Sequence, residues 1–399
     1  MGKRRAASQA ATPSSRDAKI ARAADRTRDW ADLEDGPAGL VAERVLADDV
    51  AGYIFFHAVC RSWRRCCDDP RTRGGGVLED PRLRPRQWIM LVGEKEKLDA
   101  FGAPHRSLRQ FLNVSTGKCI QVEVPELLDH GVIPSTAADG LLFLHCKATG
   151  AVRLLNPLTR QKAELPPVST RPTSLYTSCN AGLADDRTAL LNLSSVVMAF
   201  AKPGDERWSV LENNTRRLMP NVFFAGCFYG ISDHAIMTVD MTRGDEQPRV
   251  VVAAKLGLRF RGLGMDETAH LVDNGGKLML VHRTTRDSTS YKRMYQVYKV
   301  DLKAGRVTTR GIVGLSLGGH AVFVAKWHAL SVSPRVFPSI NANTIYLGLS
   351  LTERVGLEQI GAYRIRDGTT ESFSYDTQNA SPHPWSVADC LAAYVSACL

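Results

Sequence analysis

From about residue 88 onward, this chain is a succession of short apolar or β-branched runs separated by turn residues, which restricts what it can fold into more than any other feature. The runs cover residues 141–146, 152–155, 196–200, 222–229, 250–254, 278–281, 295–300, 321–324 and 344–349. Runs this short, bounded by Gly, Pro, Asn and Asp, are strands. Helical periodicity is scarce among them, so an alternating parallel βαβ sheet is not expected. Residues 269–272 and 277–282 flank Asp273-Asn274-Gly275-Gly276, which predicts a hairpin.

A loose repeat runs through the same region. Residues 111–118 (FLNVSTGK) share their form with residues 154–161 (LLNPLTRQ), 43 positions later, and residues 300–306 and 364–369 have it again. Each is a strand, a polar turn carrying Gly or Thr, and a returning strand. A period of 40 to 50 residues with this strand content predicts propeller blades, and the length available gives an expectation of six or seven.

The first 86 residues differ. Residues 1–28 are rich in Ala, Ser, Thr, Lys and Arg without periodicity, the composition of a basic tail. Lys3, Arg4 and Arg5 form either part of a nuclear-import signal or a solvated cluster. Residues 29–69 then carry helical spacing. Pro37 suits a first helical turn, Leu40, Val41, Val45 and Leu46 give one apolar face, and Asp48 or Asp49 can cap a second helix bearing Val50, Tyr53, Ile54, Val59 and Cys60. Trp63 falls in a short third element that ends at Asp69-Pro70. Three helices in some 40 residues make a small core, so an apolar face here needs a partner. Residues 70–86, dense in Arg, Gly and Pro, are expected to connect this module to a β domain spanning 87–399. The fold expected is therefore mainly β with a small α module.

The net charge of +10 is segmental. Residues 1–28 hold eight Lys/Arg against two Asp, and 61–90 hold eight Arg against four acids, whereas 29–60 hold seven acids against Arg44 alone. A nucleic-acid domain concentrates cations on one ordered element with aromatics between them, so nucleic acid is not the expected partner of the main body. Nine cysteines without repeated spacing, and an N-terminus without an apolar signal core, point to a reducing intracellular compartment, nucleus or cytoplasm. No apolar run approaches the ~20 residues of a membrane helix.

Two stretches carry a family resemblance. Trp30-Ala31-Asp32-Leu33, Pro37, residues 40–46, Asp49 and Ala58-Val59-Cys60-Arg61-Ser62-Trp63-Arg64 resemble the F-box, with its closing Val-Cys-x-x-Trp; Glu34 stands where many F-boxes have proline. Asp139-Gly140-Leu141-Leu142, Leu155-Asn156-Pro157-Leu158-Thr159 with Glu164-Leu165-Pro166, Ser331-Val332-Ser333, Phe337-Pro338-Ser339-Ile340 and Asn343-Thr344-Ile345-Tyr346 are similar to plant F-box proteins with a C-terminal F-box-associated propeller. The resemblance implies a substrate-recognition adaptor of an SCF-type E3 ubiquitin ligase. A Skp-type adaptor, and through it a cullin core, would meet Leu33, Pro37, Leu40, Val41, Leu46, Val50, Val59, Cys60 and Trp63. The propeller would hold a protein substrate, with no catalytic residue, cofactor or metal in this chain.

Other readings compete with this one. Gly314-Leu315-Ser316-Leu317-Gly318 fits the GxSxG elbow of hydrolases, followed in order by Asp367 and His383. The elbow needs a helix after its serine, whereas residues 321–324 read as a strand. Asn274-Gly275-Gly276-Lys277-Leu278 lacks the first Gly and the Ser/Thr of a phosphate loop and is expected to be a turn. The Cys and His pairs lack the spacing of a zinc site. The remaining alternatives are a propeller scaffold capped by its own helices, and a chromatin or RNA binder using the basic tail and the Arg-rich connector.

Overall fold

The computed structural model describes residues 35–72, 76–91, 107–146, 148–168, 180–193, 197–211, 218, 221–241, 248–257, 267–285, 293–308, 316–325, 328–347, 361–372 and 387–395. The chain divides into two compact units, with the boundary after Pro70. The first contains helices α1 (Asp35–Asp48), α2 (Val50–Val59) and α3 (Arg61–Arg65). Among the described residues the second is mainly β, with an α-helix, α4 (Val387–Val395), following its strands.

Within the second unit the described strands form five sheets, of three, four, five, eight and five strands in chain order. Several described turns between strands share a chemistry. Asn113 Oδ1 accepts the N–H groups of Ser115 and Thr116 at 2.9 and 3.1 Å, and Asn156 Oδ1 accepts those of Leu158 and Thr159 at 3.1 and 3.2 Å. Asp301 Oδ1 accepts from Ala304 and Asp367 Oδ1 from Thr369, each at 2.9 Å. All four turns join the last two strands of a sheet. The side-chain oxygen stands in for a backbone acceptor and fixes the bend, which explains why these segments share a sequence form.

The sheets are arranged as propeller blades. Strands Ser135–Ala137, Asn221–Phe224, Thr268–Asp273 and Ala329–Val332 lie at sheet edges and pack against one another in that order. The expected count of six or seven blades is corrected, because only four described sheets reach the four strands of a full blade. Two four-stranded meanders, 221–255 and 268–308, merge into one eight-stranded sheet through a parallel bridge from Lys255 to Arg306. The sheet of Trp88–Leu91, Leu108–Asn113 and Cys119–Glu123 has three described strands. Counting meanders along the sequence cannot reveal such mergers.

Two packing features were not anticipated. Residues 70–86 were expected to be a connector, yet Val77 and Leu78 join Ile133, Phe143, Leu154 and Leu183 in one buried core. The Arg84 side chain is fully buried between Asp139 at 3.2 Å and Asp186 at 2.9 Å. Gly140 receives this segment with φ +80°, and a Cβ there would lie 2.0 Å from the Pro85 carbonyl oxygen, so only glycine fits. Asn156 Nδ2 also donates to the Leu83 carbonyl at 2.8 Å.

The second feature is α4, which packs on Trp88–Leu91 and on Ala321–Val324. Leu91, Leu112, Phe323, Tyr346, Leu391 and Val395 form a single buried core, with Phe323 stacked on Tyr346 and their ring centroids 4.6 Å apart. The first sheet, the last sheet and the last helix are thus held by one cluster of apolar side chains.

Candidate docking surface

The helical unit is built by local capping and one tight crossing. Asp49 caps α2, its Oδ2 accepting the Gly52 N–H at 3.3 Å. Gly52 also lets α1 approach, since a Cβ there would meet Val45 Cγ1 at 3.1 Å. Cys60 caps α3, its Sγ accepting the Trp63 N–H at 3.4 Å. The Trp63 ring stacks on Phe56 with centroids 4.5 Å apart, and the buried Tyr53 donates its hydroxyl to the Asp68 carbonyl at 2.8 Å. Ala38, Ala42, Leu46, Val50, Ala51, Tyr53 and Phe56 make the buried interior.

This geometry sorts the residues expected to meet an adaptor. Pro37, Leu40, Val41 and Val59 lie on the surface, with Leu40 75% and Val59 60% exposed. Cys60 and Trp63 are half-buried. Leu46 and Val50 are buried and hold the interior, so they are not available as surface anchors. Leu33 lies outside the described residues. Phe55, which the sequence reading passed over, is 59% exposed. It precedes Val59 by one helical turn, so the two share a face of α2. The i, i+4 spacing carried that signal.

The blade unit buries polar groups and pairs several of them, while others, both ring nitrogens of His270 included, are buried without a hydrogen-bond partner. Glu126 accepts two bonds from Arg160, at 2.7 and 2.8 Å, and one contact from Lys162 at 2.7 Å. Burial alone would raise its carboxyl, but these cations outweigh that effect and hold it down at about 2. Burial pushes the Asp139 carboxyl up in spite of Arg86 and Arg84 beside it. His270 and His328 are pushed down to about 3 and about 4 by burial, so both rings are neutral. A cavity of about 340 Å³ opens on the outer strand Ser209–Leu211 and is lined by Phe200, Arg207, Trp208, Ser209 and Val210. The Trp208 indole is held there by the Pro166 carbonyl at 2.7 Å.

The hydrolase constellation is not assembled from what is described. Ser316 Oγ accepts the Gly318 N–H at 2.9 Å, and the following residues make a turn into strand Ala321–Val324 rather than a helix. Asp367 bonds Thr369 within its own hairpin turn, and Gly314, Leu315 and His383 lie outside the described residues. Residues 274–277 are a hairpin turn in which Asp273 Oδ1 accepts the Gly276 N–H at 2.7 Å. Among the described residues no group of three or more His, Cys, Asp or Glu is placed to hold a metal ion. No described helix is long and apolar enough to cross a membrane.

Comparison with known proteins bears on the blade unit. Residues 111–367 match the KIB1-4 beta-propeller family. No curated protein matches the chain in sequence. Among solved structures, Kuenenia stuttgartiensis hydrazine synthase aligns at 13% identity and TM-score 0.29, over 55% of this chain and 65% of that one. Dihydro-heme d1 dehydrogenase NirN in complex with DHE aligns at 12% and 0.24, over 55% and 46%. The Cps50 (Swd1) beta-propeller domain of Myceliophteria thermophila aligns at 11% and 0.26, over 50% and 66%. The chain spans less than two thirds of each, and scores of this size carry no inference about function.

Proposed function

This chain belongs to the KIB1-4 beta-propeller family, and from that premise we propose that it is a substrate-recognition adaptor of an SCF-type E3 ubiquitin ligase, doing no chemistry of its own. The propeller supports a protein-interaction role, and its partner in this reading is a protein substrate. The helical unit is the hook for a Skp-type adaptor and, through it, a cullin core. Acting in the nucleus or cytoplasm, the receptor raises the effective concentration of a substrate lysine near the ubiquitin-charged partner.

The observation that carries this reading is the exposure of Leu40, Val41, Phe55 and Val59 on a three-helix unit that already has its own interior. A domain that has filled its core has no structural use for four large apolar side chains in water, whereas an interface does. Leu46 and Val50, expected from the sequence on the same face, are buried and line the interior of the unit instead.

The test is a pull-down of the full chain with a purified Skp-type adaptor, beside the variant carrying Phe55→Asp and Val59→Asp. Both positions are exposed, so the variant should keep its circular dichroism while binding falls at least about tenfold, the loss of one or more anchor side chains. Absence of binding by the unaltered chain sinks the ligase reading and leaves a propeller scaffold.

A further inference from the structure

We propose that Cys66 and Cys67 form a vicinal dithiol site that captures thiophilic electrophiles with two open valences, of the trivalent organoarsenical class. Both thiols donate to one acceptor, the Trp63 carbonyl, Cys66 Sγ at 3.0 Å and Cys67 Sγ at 3.2 Å. Cys66 and the Tyr53 hydroxyl both lie close enough to Cys67 to influence its thiol. Both are half-buried, so a small reagent can reach them while the surrounding chain holds them together.

The setting explains why the pair is suited to this chemistry. Trp63 is the middle residue of α3, a helix of five residues. Both thiols that follow the helix donate to its carbonyl, which converges their sulfurs on one point. Burial raises the Cys67 thiol, with Cys66 beside it adding to the effect, so it stays protonated and keeps donating. A pair of neutral thiols is a poor two-point ligand for a hard cation. It is the right partner for an arsenoxide, whose As=O bond breaks while two As–S bonds form. The oxygen leaves as water with the two thiol protons, and no group is oxidised or reduced. Closing the ring on two preorganised sulfurs makes the second bond intramolecular, so the adduct resists a single competing thiol far better than one bond would.

The experiment treats the full chain with phenylarsine oxide and follows intact mass, first against excess mercaptoethanol and then against dithiothreitol. The unaltered protein should retain one equivalent through the monothiol and lose it to the dithiol. Cys66→Ser and Cys67→Ser should each lower monothiol-resistant retention on the order of a hundredfold, while Cys119→Ser, at an exposed site elsewhere, should not. Mapping of alkylation in the unaltered protein gives a readout that needs no variant: the adduct should shield Cys66 and Cys67 from iodoacetamide. Retention in either serine variant, stripping by the monothiol, or free alkylation of both residues in the adduct each overturns the proposal. None of these readouts depends on whether the adaptor docks.

Discussion

The helical unit and the blade unit treat water in opposite ways. The first turns Leu40, Val41, Phe55 and Val59 outward, while the second draws Arg84, Glu126, Asn156 and His270 inward. In the blade unit Arg84, Glu126 and Asn156 each meet a partner, so their burial is already compensated. The exposed side chains of the helical unit have no such compensation within their own unit. An exposed apolar cluster and a buried polar group are the two informative departures from ordinary burial. Here the first signals an unmet partner, while the second is compensated at Arg84, Glu126 and Asn156 but not at His270, whose ring nitrogens have no partner.

The contrast can be broken at several points. Phe323 is fully buried where sheets and α4 meet, so Phe323→Ala should cost about 3–5 kcal/mol in chemical denaturation, with the helical unit's own transition unmoved. If both units lose stability together, they are not independent. Arg84→Ala leaves Asp139 and Asp186 without their shared cation and should cost a similar ~3 kcal/mol or more, read the same way. A null result there would mean that the blade unit's buried polar groups do not hold it together.

Acid offers a broader probe. His270 and His328 are neutral when folded, with their titration pushed down to about 3 and about 4, whereas an unfolded histidine titrates near 6.5. Between those values the unfolded chain binds more protons, so the stabilisation present above pH ~6.5 is lost as pH falls toward ~4. Glu126 adds a loss in the same direction below its ordinary range. Thermal melts at pH 7 and 5 should show the blade unit's midpoint dropping, with a smaller drop in His270→Leu. Tyr53→Phe removes the hydroxyl bond to Asp68 and should cost the helical unit about 0.5–1.5 kcal/mol by circular dichroism. The smallest effect is expected of Val59→Asp, within about 0.5 kcal/mol, although this change belongs to the pair that should abolish adaptor capture. A large loss of stability there would reassign Val59 from surface to core.

Local chemistry was legible in the sequence. The Asn and Asp residues that open the outer hairpins bond backbone groups two or three positions on, so their form recurs wherever the turn does. What lay hidden was long-range. Arg84 meets acids 55 and 102 positions away, which no window along the chain can register. Helical spacing placed Leu46, Val50 and Val59 on apolar faces, but spacing alone does not say which face a neighbour covers. In α4, Ala388, Leu391 and Val395 are all buried at i, i+3, i+7 spacing, a signal passed over amid so many strands.

The sharing of one core by Trp88–Leu91, Ala321–Val324 and α4 also bears on how the protein is made. Blades can pair with their sequence neighbours as they leave the ribosome, but the seam between first and last waits for residues 387–395. Until then Phe323 and Leu112 lack part of their cover, and the nascent domain exposes apolar surface that favours aggregation. A stop codon shortly before Val387 would therefore be a folding lesion that leaves an open ring, rather than the trimming of a dispensable tail.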